Sequence, residues 1–270
     1  MFGNRIGKRH KINLCLFYCT NLNYCFHLSV VFWKITSPII VILLFFWTAI
    51  CFVPTFLLRF IFFNEKVFGF VSKYIWGPGV LFFSLTRIKV SGRENVPKDE
   101  NFIFVCNHES WLDIPALFIA APSYLYFIAK KELRRMPFIG WGVWAAGMIF
   151  IDRNDRQKAI RSMKLAGDKA IQQKKNIVSF PEGSRSVSGT IMQFKRGTFI
   201  TSQQTGIRII PCAISGAFEV WPSTQLSLTP GRIKVAIGSP IDPKDHSNKT
   251  PEEFANYTQK IVAEMKAKLQ

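Results

Sequence analysis

The chain has 270 residues, is 49% hydrophobic, and carries 35 Lys and Arg against 17 Asp and Glu, a formal net charge of +18. That apolar content, with 26 Phe, excludes an intrinsically disordered chain, and 17 Gly and 14 Pro without a period exclude collagen-like and low-complexity classes. A chain both apolar and strongly basic narrows the partners to nucleic acid, an anionic membrane surface or an anionic substrate.

Residues 1–34 form a basic and apolar extension in which Arg5, Lys8, Arg9 and Lys11 favour a cytoplasmic side for the N-terminus. Cys15, Cys19 and Cys25 lie there near His10 and His27, but their spacing matches no zinc pattern, so no metal is expected. With Cys51, Cys106 and Cys212 they read as small hydrophobes of a reducing compartment. From Ile35 to Leu58 no residue is charged, and Lys34 and Arg59 bracket the run. As a helix it is about 36 Å long, enough for a bilayer core. Pro38 and Pro54 near its ends keep a re-entrant helix in competition with a span. A second apolar stretch at 67–85, joined through Asn64-Glu65-Lys66, predicts a two-helix membrane anchor over 35–86. The run is too long and begins too late for a cleaved signal peptide.

Residues 87–270 read as an α/β domain. Strands are predicted at 87–91, which alternates polar and apolar residues, and at 102–106 (FIFVC), a continuous apolar run. Further candidates are 124–129, 148–151, 177–180, 207–214 and 233–237. Between the fourth and fifth, Asp155 is placed to cap a helix that buries Ala159, Ile160, Met163, Ala166, Ala170 and Ile171. Its basic outer face reads as a solvated surface. At the C-terminus Thr250-Pro251-Glu252-Glu253 is a capping box with Pro at the first helical position, followed by a stripe of Phe254, Tyr257, Ile261, Met265 and Leu269. Alternating strands and helices predict a mixed, largely parallel sheet of about seven strands flanked by helices.

The chemistry-bearing residues stand at predicted strand ends, where open α/β sheets bind ligands. After 102–106 comes Asn107-His108-Glu109-Ser110-Trp111-Leu112-Asp113. On one helix, His108 and Asp113 would stand about 140° apart, so their meeting requires a turn between them. A carboxylate on a His fixes its tautomer and stabilises the imidazolium, which equips a general base for a hydroxyl; the alternative is a pair that holds a helix end. After 177–180 comes Pro181-Glu182-Gly183-Ser184-Arg185-Ser186, where Gly183 permits close backbone approach and Arg185 offers a bidentate grip on phosphate. Glu182 is placed to accept hydroxyl hydrogen bonds or to hold an Arg. Arg153 follows 148–151, and Lys130 and Lys131 follow 124–129. No nucleophile elbow, Walker A loop or dinucleotide fingerprint is present, which argues against serine hydrolases, nucleotide kinases and dinucleotide dehydrogenases.

Four ordered blocks, NHESWLD at 107–113, FIDR at 150–153 with Gly147 before it, FPEGSRS at 180–186 and IIPCAI at 209–214, resemble the glycerolipid acyltransferases, in particular the bacterial 1-acyl-glycerol-3-phosphate acyltransferases, over residues 85–240. Ser184 replaces a more usual Thr and keeps the hydroxyl, and Cys212 stands where Val is common. The resemblance implies that His108 deprotonates the acceptor hydroxyl and Asp113 orients it, with direct attack on the thioester of acyl-CoA or acyl-carrier protein. It implies that Arg153, Glu182, Gly183, Arg185 and Lys130 hold the glycerol phosphate. No metal or organic cofactor is implied. The expected partners are membrane phospholipids, a lysophospholipid acceptor and the acyl donor, and the expected place is the cytoplasmic face of a membrane, the inner one in a bacterium. Within the class the alternative acceptors are another lysophospholipid, glycerol 3-phosphate or an acylated amino-lipid. Outside it, a non-enzymatic lipid-binding protein is the remaining reading. Nucleic acid is not an expected partner, because the aromatics gather in the apolar N-terminal third.

Overall fold

A computed structural model describes residues 31–58, 66–98, 100–136, 139–151, 156–173 and 175–270. Arg153, Asp155 and the Cys and His residues at 10–27 lie outside them.

Helix α1, Val31–Leu58, runs unbroken through both prolines, each of which forfeits one backbone hydrogen bond. Most of its apolar side chains face outward, Ile39, Ile42, Phe45, Phe46 and Ile50 among them. The inward side is narrow: buried Ser37 accepts from the Leu228 N–H at 2.8 Å and donates to the Leu228 carbonyl at 3.1 Å. The second apolar stretch forms α2 (Lys66–Val71), a π-turn (Ser72–Trp76) and α3 (Gly77–Phe83). It runs antiparallel to α1. The Trp47 indole N–H donates to the Trp76 carbonyl at 3.1 Å, Phe52 stacks on Phe68 at 4.6 Å, and Gly79 lies where a Cβ would strike the Trp47 ring. Its other side packs on α4 (Asp113–Ala120), where buried Gly77 meets the Pro115 carbonyl. Among the described residues only α1 is long and apolar enough to cross a bilayer; the second stretch is sandwiched against the domain, so a two-helix anchor overstates it.

The sheet has seven strands in the order β1-β7-β6-β2-β5-β3-β4. They are β1 (Thr86–Ser91), β2 (Phe102–Cys106), β3 (Leu125–Lys130), β4 (Ile149–Ile151), β5 (Asn176–Ser179), β6 (Arg208–Ser215) and β7 (Gly231–Ile237). The five strands from β6 to β4 are parallel; β7 pairs antiparallel with β6 and parallel with β1, so β7 and β1, at one end of the sheet, run the other way. β2 is buried at every position, which explains its uninterrupted apolar run.

Two cores cover the sheet faces. Phe102, Phe104, Leu117, Ile210, Ile214 and Val235 pack toward α3 and α4. Ile103, Val105, Ile177, Ile209, Phe199 and Phe254 pack toward α6 (Arg156–Gln172), α7 (Gly197–Thr205) and α9 (Pro251–Leu269). On α6, Met163 and Ala170 are buried but Ile171 is exposed, one position past the inward face. The α9 capping box forms as predicted: the Glu253 N–H donates to the Thr250 hydroxyl, and the Thr250 N–H donates back to the Glu253 carboxylate at 2.7 Å. The inward line of α9 is Phe254, Ala255, Thr258, Val262 and Lys266; of the predicted apolar stripe Phe254 is buried, Met265 and Leu269 pack half-buried against the core, and Tyr257 is exposed. Two further short helices are α5 (Ile139–Ala145) and α8 (Ala217–Val220).

Candidate active site

Parallel strands end together, so the segments after β2 and β5 meet at one sheet edge. Asn107 anchors the first of them. Its side-chain carbonyl accepts from the Ile214 N–H at 2.8 Å and its amide donates to the Ile214 carbonyl at 2.9 Å, which clamps the end of β2 to β6.

His108 and Asp113 meet through the turn that their spacing requires. The His108 Nδ1 lies 2.7 Å from Asp113 Oδ2. The same oxygen accepts the backbone N–H groups of Glu109 (2.7 Å) and Ser110 (2.9 Å), just before Asp113 opens α4. Three donors on one oxygen hold Asp113 as an acceptor, so the proton of the pair belongs on Nδ1 and the lone pair falls on Nε2. Asp113 is fully buried, whereas the His108 side chain is 16% exposed, so the imidazole alone reaches solvent. Phe180 stacks on the imidazole at 4.0 Å with 16° between the planes and fixes the ring plane.

The β5 segment closes on the β2 segment through its backbone. The Ser186 N–H donates to the His108 carbonyl at 2.8 Å. The Glu182 carboxylate accepts the His108 N–H at 2.7 Å and the Met192 N–H at 2.8 Å. These two bonds make Glu182 a brace behind the imidazole. Burial pushes the Glu182 carboxyl up to about 7 against the two amides, which pull it down. Gly183 turns the chain at φ +83°, and a Cβ there would meet Lys195 Nζ. The Arg185 guanidinium lies 3.3 Å from the Trp111 ring centre, half-buried, and burial lowers its pKa against the pull of Asp113. Trp111 in turn faces Trp221 at 6.4 Å. Lys130 stands exposed at the end of β3 and pairs with Glu132 at 3.8 Å, without a contact to His108 or Asp113. Among the described residues, no group of three or more His, Cys, Asp or Glu side chains is arranged to hold a metal ion.

Glu109 carries no role in the motif reading, yet it is almost wholly buried beside His108. It pairs with Lys266 of α9 and accepts from the Asn107 amide at 3.3 Å and the Phe218 N–H at 3.4 Å. Burial, then Asp113, push its carboxyl up to about 7, and Lys266 opposes them. The Trp111 platform and the Phe180 stack were also absent from the motif reading. Both lie inside the quoted blocks, and an aromatic beside a His or Arg at a strand end is the signal that points to them.

A family model described as Acyltransferase matches residues 87–215. The 1-acyl-sn-glycerol-3-phosphate acyltransferase of Saccharomyces cerevisiae is 32% identical over 180 residues, which cover 66% of this chain and 58% of that protein. The alpha form from Ovis aries is 31% identical over 169 residues, covering 63% and 56%. The chain thus spans little more than half the length of these curated relatives. The crystal structure of the 1-acyl-sn-glycerophosphate (LPA) acyltransferase PlsC from Thermotoga maritima matches with a TM-score of 0.73 and 30% identity, covering 88% of this chain and 97% of that one.

Proposed function

The chain belongs to the acyltransferase family, and from that premise we propose that it transfers a fatty acyl chain from acyl-CoA or acyl-carrier protein to the sn-2 hydroxyl of 1-acyl-glycerol 3-phosphate, giving phosphatidate. The observation that carries the mechanism is the 2.7 Å contact between His108 Nδ1 and Asp113 Oδ2 at the end of buried strand β2. With Nδ1 occupied, Nε2 takes the acceptor's proton as its oxygen attacks the thioester carbonyl. Asp113 stabilises the imidazolium. The tetrahedral intermediate expels the thiolate, which receives the proton. No acyl-enzyme forms, since among the described residues no Ser or Cys is paired with Nε2.

Arg185 and Arg153 supply the grip on the acceptor phosphate, with Lys130 as a further cation at the same sheet edge. Gly183 shapes that turn, and Glu182 acts by holding the His108 backbone rather than by touching the acceptor. Residues 35–86 seat the catalytic domain, 87–270, on the cytoplasmic face of a membrane, the inner one in a bacterium, and the outward apolar side of α1 supports this reading. Anionic headgroups suit the +18 charge.

The test is a membrane-fraction assay of labelled acyl-CoA and acyl-carrier protein against a panel of lysophospholipids and glycerol 3-phosphate. Labelled phosphatidate from lysophosphatidate is the expected product. Preferential acylation of a different acceptor would move the protein elsewhere in the class, and no transfer to any acceptor would overturn the reading.

A further inference from the structure

Lys266 lies on the C-terminal helix, outside the residues matched by the family model, and no motif points to it. Its side chain is 11% exposed, among the inward-facing positions of α9. A buried ammonium is costly unless paired and hydrogen-bonded. Here it ion-pairs with Glu109 across 157 residues of sequence and donates to the Gly189 carbonyl at 2.6 Å. Gly189 follows the FPEGSRS turn, and Glu109 follows His108, so one ammonium joins the two segments that build the site.

Three buried carboxylates gather behind the imidazole: Glu109, Asp113 and Glu182. Asp113 and Glu219 raise the Glu109 carboxyl, and Asp113 raises that of Glu182; Lys266 lowers both. Arg185 acts in this cluster on Asp113. Among the described residues Lys266 is thus a cation whose field reaches both carboxylates that flank the dyad.

We propose that Lys266 is a positioning residue for the His108 base: from α9 it neutralises Glu109 and ties the segment after β5 to the catalytic segment, so that the C-terminal helix sets the charge felt by the His108–Asp113 pair. The inference rests on the reading of His108 as the base.

The test uses the purified full chain with Glu109→Gln, Lys266→Met and the double variant, each checked for folding by thermal melts. Glu109→Gln leaves a lone cation that disfavours the imidazolium, so the acid limb of the kcat/KM profile moves down by about half a pH unit. The double variant removes both charges and returns the limb to its wild-type position. Lys266→Met unties Glu109 from Gly189 and so the catalytic segment from the segment after β5, and kcat falls at least about tenfold while the acceptor KM changes less than about threefold. A purely structural pair changes melting temperature without moving the acid limb. An unmoved limb in folded Glu109→Gln, or wild-type kcat in folded Lys266→Met, overturns the proposal. If Lys266→Met does not fold, the comparison of Glu109→Gln with the double variant decides alone. His108→Ala separates the two readings. If that variant stays active, the base reading fails; if it is dead and the limb still does not move, only the role of Lys266 fails.

Discussion

Replacing Asp113 with Asn separates the two services that this carboxylate performs for His108. Asp113 Oδ2 accepts His108 Nδ1–H and the N–H groups of Glu109 and Ser110, while Oδ1 is buried without a hydrogen-bond partner. An Asn has two placements. With its NH2 at the Oδ2 position it faces three donors and loses all three hydrogen bonds. With its oxygen there it keeps them, and the NH2 falls at the Oδ1 position with no acceptor, a burial penalty of about 1–3 kcal/mol. The second placement wins. The histidine tautomer and ring orientation survive, and what is lost is the negative charge beside the developing imidazolium. At an effective dielectric constant near 20, contact between unit charges is worth about 4 kcal/mol. Partial charge transfer in the transition state makes the kinetic loss about 2–3 kcal/mol, or about 30- to 200-fold in kcat. The assay is transfer of labelled acyl-CoA to lysophosphatidate, with kcat and acceptor KM measured separately. The expected result is a loss in kcat at nearly constant KM, with an unfolding free energy lower by about 1–3 kcal/mol. A folded Asp113→Asn protein within about twofold of wild-type kcat would refute the assignment of Asp113 as the imidazolium's counter-charge.

Three other outcomes follow from the same structure. Because burial pushes Glu182 up to about 7, the folded chain holds a proton that the unfolded chain releases near pH 4.5. Stability therefore declines as pH rises from about 4.5 to about 7, by at most about 3 kcal/mol for this group, and urea titrations of Glu182→Gln give a flatter slope across that window. Thr250→Ala removes the hydroxyl that caps α9 and costs about 1 kcal/mol in urea denaturation, with acceptor KM unchanged. Ile42→Asp with Phe46→Asp places two carboxylates on the exposed side of α1 near its middle, at about 3 kcal/mol each in a bilayer. The doubly substituted protein leaves the vesicle pellet while keeping its melting temperature; retained sedimentation counts against α1 as the membrane element.

The strands were legible because buried parallel strands are continuous apolar runs, and FIFVC and the 207–214 run can form little else. Their bounds moved by one or two residues where a polar side chain extends the ladder, as Lys130 does on β3 and Ser215 on β6. Strand direction was less legible: nothing in the β7 run announces that it reverses against β6. On α9 the apolar residues drew the predicted stripe, and Phe254, Met265 and Leu269 do pack on the core, but the burial of Thr258, Val262 and Lys266 turns the inward face away from Tyr257. The four ordered blocks pointed to His108 and Asp113, and local turn geometry brings the two side chains together. The bracing contacts of Glu182 were not legible, because its partners, the amides of His108 and Met192, become neighbours only after β5 docks beside β2. The Glu109–Lys266 pair was invisible for the same reason, since its partners lie 157 residues apart.

In the proposed reaction His108 is the base of a direct acyl transfer. The most direct measurement is phosphatidate formation from lysophosphatidate and labelled acyl-CoA by purified His108→Ala protein that melts like the wild type. Loss of general-base catalysis lowers kcat by about 10²–10⁴-fold, with the acceptor still bound. Transfer by His108→Ala at near wild-type rate contradicts the account.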